Sequence, residues 1–393
     1  MIKEIDEVNE QIKKLQIEVE YLKKLLEDEP HKRNDVNRAH KSDRRKKRAT
    51  KRIGLIAFCS FIFFIGLKEF LNRKIVVIEG NTLGTQYHIQ YRDLFGRNYK
   101  REIDNLLHDI EQTISNDVDY SELSRFNKHK NCEEFYIKSL HLASIMTQSK
   151  LVYYSTNYFD PTILPLYEFW QNEKLGKNFD NPRSIAEIMQ YIGFEYIVVN
   201  EDRIKKLKEG VMVDLRGITK GYAADSVAKC LKSHGIENML IDIGGKIVSI
   251  GLNAKKSKWC LDINTENVFN GIKDIEVKIS NKALAIVKGF CDIDSKIYSK
   301  SCFINPFDGE LAKDIPMLVM VFAPDCAIAN AYATAIMVGG VNIIEKLSSE
   351  HKEIGIFVVQ SYDHENKSIK YCSFNGISVT KHNKHYSIDL NEI

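Results

Sequence analysis

Residues 213–251 read VDLRGITKGYAADSVAKCLKSHGIENMLIDIGGKIVSIG. The stretch predicts a strand, a glycine-containing turn, a helix of about four turns, a second strand and a Gly-Gly corner. Tyr222, Ala223, Val227, Cys230 and Leu231 recur at three- and four-residue spacings, the stripe of a helix with one apolar face. Gly235 follows Lys232 and His234, a glycine stop with cations at the negative end of the helix. Ile236–Ile243 is short, apolar and bounded by glycine, as a buried strand is. The turn from Arg216 to Gly221 puts backbone N–H groups and Lys220 at a helix start, where phosphate binds readily. Its spacing matches neither G-x-G-x-x-G nor a P-loop. The turn is therefore either a phosphate cradle or a tight strand–helix junction.

Working outward, 393 residues suffice for one large domain or two ordinary ones. The composition, 44% hydrophobic and 28% charged with seven prolines, excludes collagenous or broadly disordered character. A net charge of +3 gives no footprint for nucleic acid, and most of the excess sits between Lys41 and Arg52. The eight cysteines show no C-x-x-C or paired spacing, so neither a zinc module nor a disulfide framework is implied.

Ile5, Val8, Ile12, Leu15, Val19, Leu22 and Leu26 alternate three- and four-residue steps, a heptad seam. Residues 1–29 thus read as an oligomerising coiled coil, or else as one amphipathic helix on another surface. A basic linker, residues 30–52, includes Arg44-Arg45-Lys46-Lys47-Arg48. It runs straight into Ile53–Leu67, fifteen residues without a charge. Fifteen helical residues span about 22 Å against a hydrocarbon core of about 30 Å, and flanking Lys and Arg can snorkel to extend the reach. Residues 53–71 are expected to form a single transmembrane helix. The positive-inside rule then leaves the coil in the cytoplasm and sends everything after about residue 72 across the membrane.

Residues 74–393 read as one large α+β domain of mixed sheets and packed helices. Strands are expected at Lys74–Glu79, Tyr87–Tyr91, Trp259–Ile263, Ala283–Val287, Met317–Phe322 and Ile354–Val359, with a hairpin-like pair after them. Helices are expected at Arg101–Ile114, Phe135–Tyr154 and Cys326–Gly340, and a short one capped near Ser121. The Asp160-Pro161-Thr162 turn beside aromatics can hold a planar ring, or can be an ordinary turn. Asn330 and Thr334 share one face of an otherwise apolar helix. They are either a buried polar contact or part of a ligand site.

Seven short motifs then occur in order. They are Leu83-Gly84-Thr85; Ser115 with the run Ser121–Asn127; Phe159-Asp160-Pro161-Thr162; Asp214 through Asp225; Ile243-Gly244-Gly245; Ile304-Asn305-Pro306 with Gly309; and Ala329 through Ala335. On these the chain, over roughly residues 75 to 360, resembles the FAD:protein FMN transferase family, often called ApbE-like. The resemblance implies an enzyme that uses Mg²⁺ to split FAD and attaches FMN to a threonine or serine of a flavoprotein, releasing AMP. The acceptor it implies is a subunit of a membrane redox complex.

Carried over position by position, Leu83, Tyr158, Phe159, Asp160, Asp225 and the loop at Ile304 are the implied flavin and adenine contacts. Lys220 and the turn amides are implied to face the phosphates. The implied metal ligands are the Thr219 carbonyl, Asn330 and Thr334. The chain departs from the family pattern at several of these places. Asn330 stands where the family has aspartate, and Cys302 where it has histidine, the presumed base. Asn305 replaces an aspartate, Asp308 a threonine, and Lys246 and Lys288 fall where acidic or small polar residues are usual. Three functions follow: a membrane-anchored transferase with Lys220 and Cys302 as its catalytic groups, a relative that binds FAD or a nucleotide without efficient transfer, or an assembly protein.

Overall fold

In the computed structural model, residues 17, 20, 74–130, 132–174, 184–265, 274–289, 303–363, 368–382 and 385–390 are described. Contacts divide the chain at Arg73 into two units. In the first, Ile17 and Glu20 are helical. The expected coil, apart from these two residues, the basic linker and the transmembrane segment lie outside the described residues, as does Cys302.

In the second unit, β1 (Lys74–Thr82) and β2 (Thr85–Asp93) form a hairpin whose loop is Leu83-Gly84 alone. Both loop residues have positive φ, 50° and 69°, the conformation that matches the twist of two-residue hairpins. Tyr87, Ile89 and Tyr91 alternate inward along β2, so one strand face is core. The following elements are α1 (Lys100–Ile114), α2 (Glu122–Lys128), β3 (Glu134–Tyr136), α3 (Leu140–Thr156), α4 (Leu164–Lys174) and α5 (Ile185–Ile188). Then come β4 (Ile197–Val199), β5 (Arg203–Lys206), α6 (Arg216–Ser233), β6 (Met239–Ile243) and β7 (Lys246–Ile250). The chain continues through β8 (Trp259–Asn264), β9 (Asp274–Ile279), β10 (Lys282–Lys288), β11 (Leu318–Ala323) and α7 (Cys326–Gly339). Last are α8 (Ile344–Glu350), β12 (Gly355–Asp363), β13 (Ser368–Phe374), β14 (Ile377–His382) and β15 (His385–Leu390).

Eight strands form the main sheet in the order β1-β2-β6-β7-β10-β11-β12-β13, every pair antiparallel. β14-β15-β9-β8 form a second sheet and β3-β5-β4 a third. β11 shows why the layers stack. Val319, Val321 and Ala323 join the core shared with α1, α3, α6 and α7, while Leu318, Met320 and Phe322 face Trp259, Val277 and Ile388 of the second sheet. Both faces of that strand are covered, so it is apolar throughout.

α6 and α7 pack tightly enough to exclude a side chain between them. A Cβ on Gly221 would lie 2.3 Å from the Cys326 carbonyl oxygen. α7 is buried on nearly every side, which accounts for its small apolar residues. The helical run Cys326–Glu350 is long and apolar enough to cross a bilayer, yet most of it is packed inside this domain.

Three expectations from sequence need correction. Val213 is not in a strand: Asn127 donates from Nδ2 to its carbonyl and accepts its N–H at Oδ1, both at 2.8 Å, so a side chain replaces a neighbouring strand. α6 begins at Arg216, inside the expected turn, and is 18 residues long. Helix α3 starts at Leu140, because Phe135 belongs to β3 and Ser139 accepts the His141 N–H as cap.

Candidate active site

The Asp214 carboxylate accepts the Arg216 N–H at 2.9 Å and pairs with its guanidinium at 2.6 Å. That guanidinium lies 3.4 Å from the centre of the Tyr167 ring. The Ile218 and Thr219 amides and the Thr219 hydroxyl all donate to the Leu215 carbonyl. The sequence suggested a row of free amides here. Among the described residues, Gly217 holds the one donor of that first turn that remains unbonded.

Gly217 is also where distant motifs meet. A Cβ there would come 2.9 Å from Phe159 Cε2 and 3.3 Å from Thr334 Cγ2. Thr334 Oγ1 donates to the Gly217 carbonyl at 3.3 Å and to the Asn330 carbonyl one turn back at 3.0 Å. Asn330 is 3% exposed, and its backbone carbonyl accepts from the Thr334 hydroxyl. Lys220 lies three residues beyond Gly217 along α6. It forms no ion pair among the described residues, and burial pulls its ammonium below the ordinary lysine value.

Asp160 is buried, with Oδ1 accepting the Thr162 amide at 2.8 Å and the Thr162 hydroxyl at 2.6 Å. That hydroxyl in turn accepts the Gly193 N–H at 2.7 Å. Burial raises the Asp160 carboxyl to about 6. Tyr158 packs edge-on to Phe307, ring centres 4.9 Å apart, beside Gly339 at the end of α7. Phe307 was not singled out in the sequence, and its exposure is seen only in the fold.

The remaining expected contacts lie further out. Asp225 accepts the Cys326 and Ala327 amides at 3.0 and 2.9 Å, so it caps α7. Burial raises its carboxyl to about 6 as well. Ile304 is buried in a small separate cluster with Leu166, Ile188 and Ile192, and so supports its loop from below. Leu83 sits at the β1–β2 tip, at the same end of the sheet as the Gly244-Gly245 corner, where the Gly244 N–H donates to Gln86. Thr219 is buried near the start of α6, and its hydroxyl donates to Leu215 rather than to Asn330 or Thr334.

Lys246 follows the glycine corner and is buried, its Nζ donating to the Ile286 carbonyl at 2.7 Å. Burial pulls it down to about 8, and the cation of Lys220 pushes the same way. Two lysines therefore share this part of the molecule, a setting suited to an anion.

The model of the ApbE family matches residues 83–358. The FAD:protein FMN transferase of Vibrio cholerae is 28% identical over 295 residues, covering 73% of this chain and 87% of the relative. That of Haemophilus influenzae is 23% identical over 325 residues, covering 78% and 93%. The solved structure of the flavin transferase ApbE from Vibrio cholerae superposes with a TM-score of 0.65 at 26% identity, over 77% of this chain and 97% of that one. The apo form of the Pseudomonas stutzeri flavinyl transferase ApbE, 20% identical, has the same fold with a TM-score of 0.65 over 77% and 94%.

Proposed function

Because the chain belongs to the ApbE family, we propose that it is an FAD:protein FMN transferase. The hydroxyl of an acceptor threonine or serine attacks the phosphorus of the FMN half of FAD. The new phosphoester forms as the pyrophosphate P–O bond breaks, AMP leaves, and the hydroxyl proton passes to a base. The observation that carries the reading is the meeting of Phe159, Gly217 and Thr334 at one place, with Thr334 tied to both the Gly217 and the Asn330 carbonyls.

The residues divide the work as follows. The Gly217 amide and Lys220, at the positive end of α6, hold the pyrophosphate. Partial desolvation strengthens the attraction of Lys220 for phosphate while lowering its proton affinity. Phe159 and Tyr158, backed by Phe307, offer the aromatic surface for the isoalloxazine ring, and Asp160 fixes their turn through Thr162. Leu83 closes the far side. Asp225 acts from a distance by anchoring the start of α7, and Ile304 by supporting its loop. Cys302 is assigned as the base.

Asn330, Thr334 and the Thr219 carbonyl would be the ligands of Mg²⁺, neutral oxygens to which the FAD phosphates would add the negative charge that a hard cation needs. When bound, the ion neutralises charge on the pyrophosphate. The domain is held at the outer face of the membrane by residues 53–71, and the chains associate through residues 1–29. Its acceptor is a flavoprotein subunit of a membrane redox complex.

Incubating the full chain with FAD, Mg²⁺ and such a subunit tests the reading. The subunit's mass should rise by one FMN on a threonine or serine. An unmodified subunit would overturn it.

A further inference from the structure

At the opposite end of α6 from the proposed active site, three side chains of metal-binding type converge. Cys230 and His234 stand four residues apart at the end of the helix, and Glu102 reaches them from the first turn of α1. His234 Nε2 lies 2.9 Å from each Glu102 oxygen, and Cys230 Sγ lies 3.5 Å from Oε1. One ligand atom from each residue falls within 4.8 Å of the others. Tetrahedral zinc has bonds of about 2.0–2.3 Å to nitrogen, oxygen and sulfur, so its ligand atoms lie about 3–4 Å apart, and these three need little movement to surround it.

We infer that Glu102, Cys230 and His234 form a binding site for a zinc-like divalent cation, separate from the phosphate end of α6. The His234 ring is already oriented. It stacks on Tyr99 with centroids 4.2 Å apart and planes 18° from parallel, and the Arg97 guanidinium lies over the same Tyr99 ring, 5.6 Å from its centroid. All three ligands keep some exposure, which leaves a route of entry and a fourth position for water. Without an ion, His234 and the Cys230 thiol both rest on the Glu102 carboxylate through hydrogen bonds.

The second cluster of this type, Cys260, Asp262 and Glu276, makes a useful contrast. There Lys278 sits 3.1 Å from Glu276 and already supplies the positive charge. Among the described residues, no lysine or arginine pairs with Glu102. Because the site bridges α1 and α6, an ion in it would clamp the helix that carries Gly217 and Lys220.

Cobalt(II) substitutes for zinc and reports its ligands by colour. Titrating the full chain with Co²⁺ should give one site with a thiolate charge-transfer band and tetrahedral visible bands, displaced by Zn²⁺. Cys230→Ser should abolish the charge-transfer band, and His234→Ala should weaken Zn²⁺ binding at least about tenfold, as loss of a ligand-shell contact does. Cys260→Ser should change neither. Thermal unfolding should shift upward with Zn²⁺ in the parent chain and in Cys260→Ser, but not in Cys230→Ser. Stoichiometric cobalt binding without a thiolate band, or a band that survives Cys230→Ser, would overturn the inference, as would no binding by a folded chain.

Discussion

Replacing Gly221 with alanine should push apart the two helices that carry the proposed site. The added Cβ would stand 2.3 Å from the Cys326 oxygen, 2.6 Å from its carbonyl carbon and 2.8 Å from the Ala327 Cα. All three obstacles are backbone, so no side chain can rotate away. Reaching even 3.0 Å requires a displacement of about 0.7 Å at the start of α7 (3.0 minus 2.3). Alanine is the better helix former by about 1 kcal/mol. Overpacking a rigid contact costs about 1–3 kcal/mol, and an immovable backbone argues for the upper end. The net expectation is a loss of about 2 kcal/mol, read from chemical denaturation of the full chain. Flavin transfer should fall further than stability, because the shift carries Asn330 and Thr334 with it. A variant as stable as the parent, or stabilised by the helix-propensity increment, would refute the close-packing argument.

Gly217→Ala should behave differently. Its nearest obstacle is the Phe159 ring at 2.9 Å, a side chain that can yield, so FAD binding should weaken while unfolding changes little. Asn127→Ala removes both bonds that pair Val213, and should cost about 2–4 kcal/mol in denaturant unfolding. Asp225 has its pKa raised from 3.8 to about 6, so the folded chain holds a proton that the unfolded chain gives up between those values. The associated stability is full below about pH 4 and is lost as pH rises through about 6, a span worth about 3 kcal/mol. Asp225→Asn should remove that share of the slope in a pH series of unfolding curves. An unchanged slope would show that Asp225 is not held as described. Asn330→Asp supplies a carboxylate to the proposed metal ligands and should tighten Mg²⁺ binding by about tenfold in calorimetry, the worth of one charge-assisted contact. No change would place the metal elsewhere.

Much of this was legible in the sequence because local patterns and tertiary demands agree. α6, α7, β1, β2, β6 and β10 were all expected within a few residues of their bounds. Tyr87, Ile89 and Tyr91 alternate as a half-buried strand must, and α7 is written in small apolar residues because α6 and β11 leave room for little else. The misreadings have physical causes. Val213 looks like a strand residue, but its partner is the Asn127 side chain, 86 positions away. The Arg216–Gly221 turn looks like a loop, yet Asp214 caps it into helix, and its glycines serve packing. Asp225 belongs to a family motif, and only the fold reveals that it caps another helix. The meeting of Phe159, Gly217 and Thr334 joins segments far apart in the chain, which no local period can signal.

The central claim is that the place where these segments meet transfers FMN from FAD to a protein hydroxyl. The direct measurement is AMP released against flavin covalently bound when the full chain is mixed with FAD, Mg²⁺ and an acceptor flavoprotein subunit. The account predicts one AMP for each flavin that stays on the acceptor through denaturing electrophoresis, and loss of both in Lys220→Met. FAD bound tightly by the chain, with neither AMP release nor covalent flavin, would contradict it.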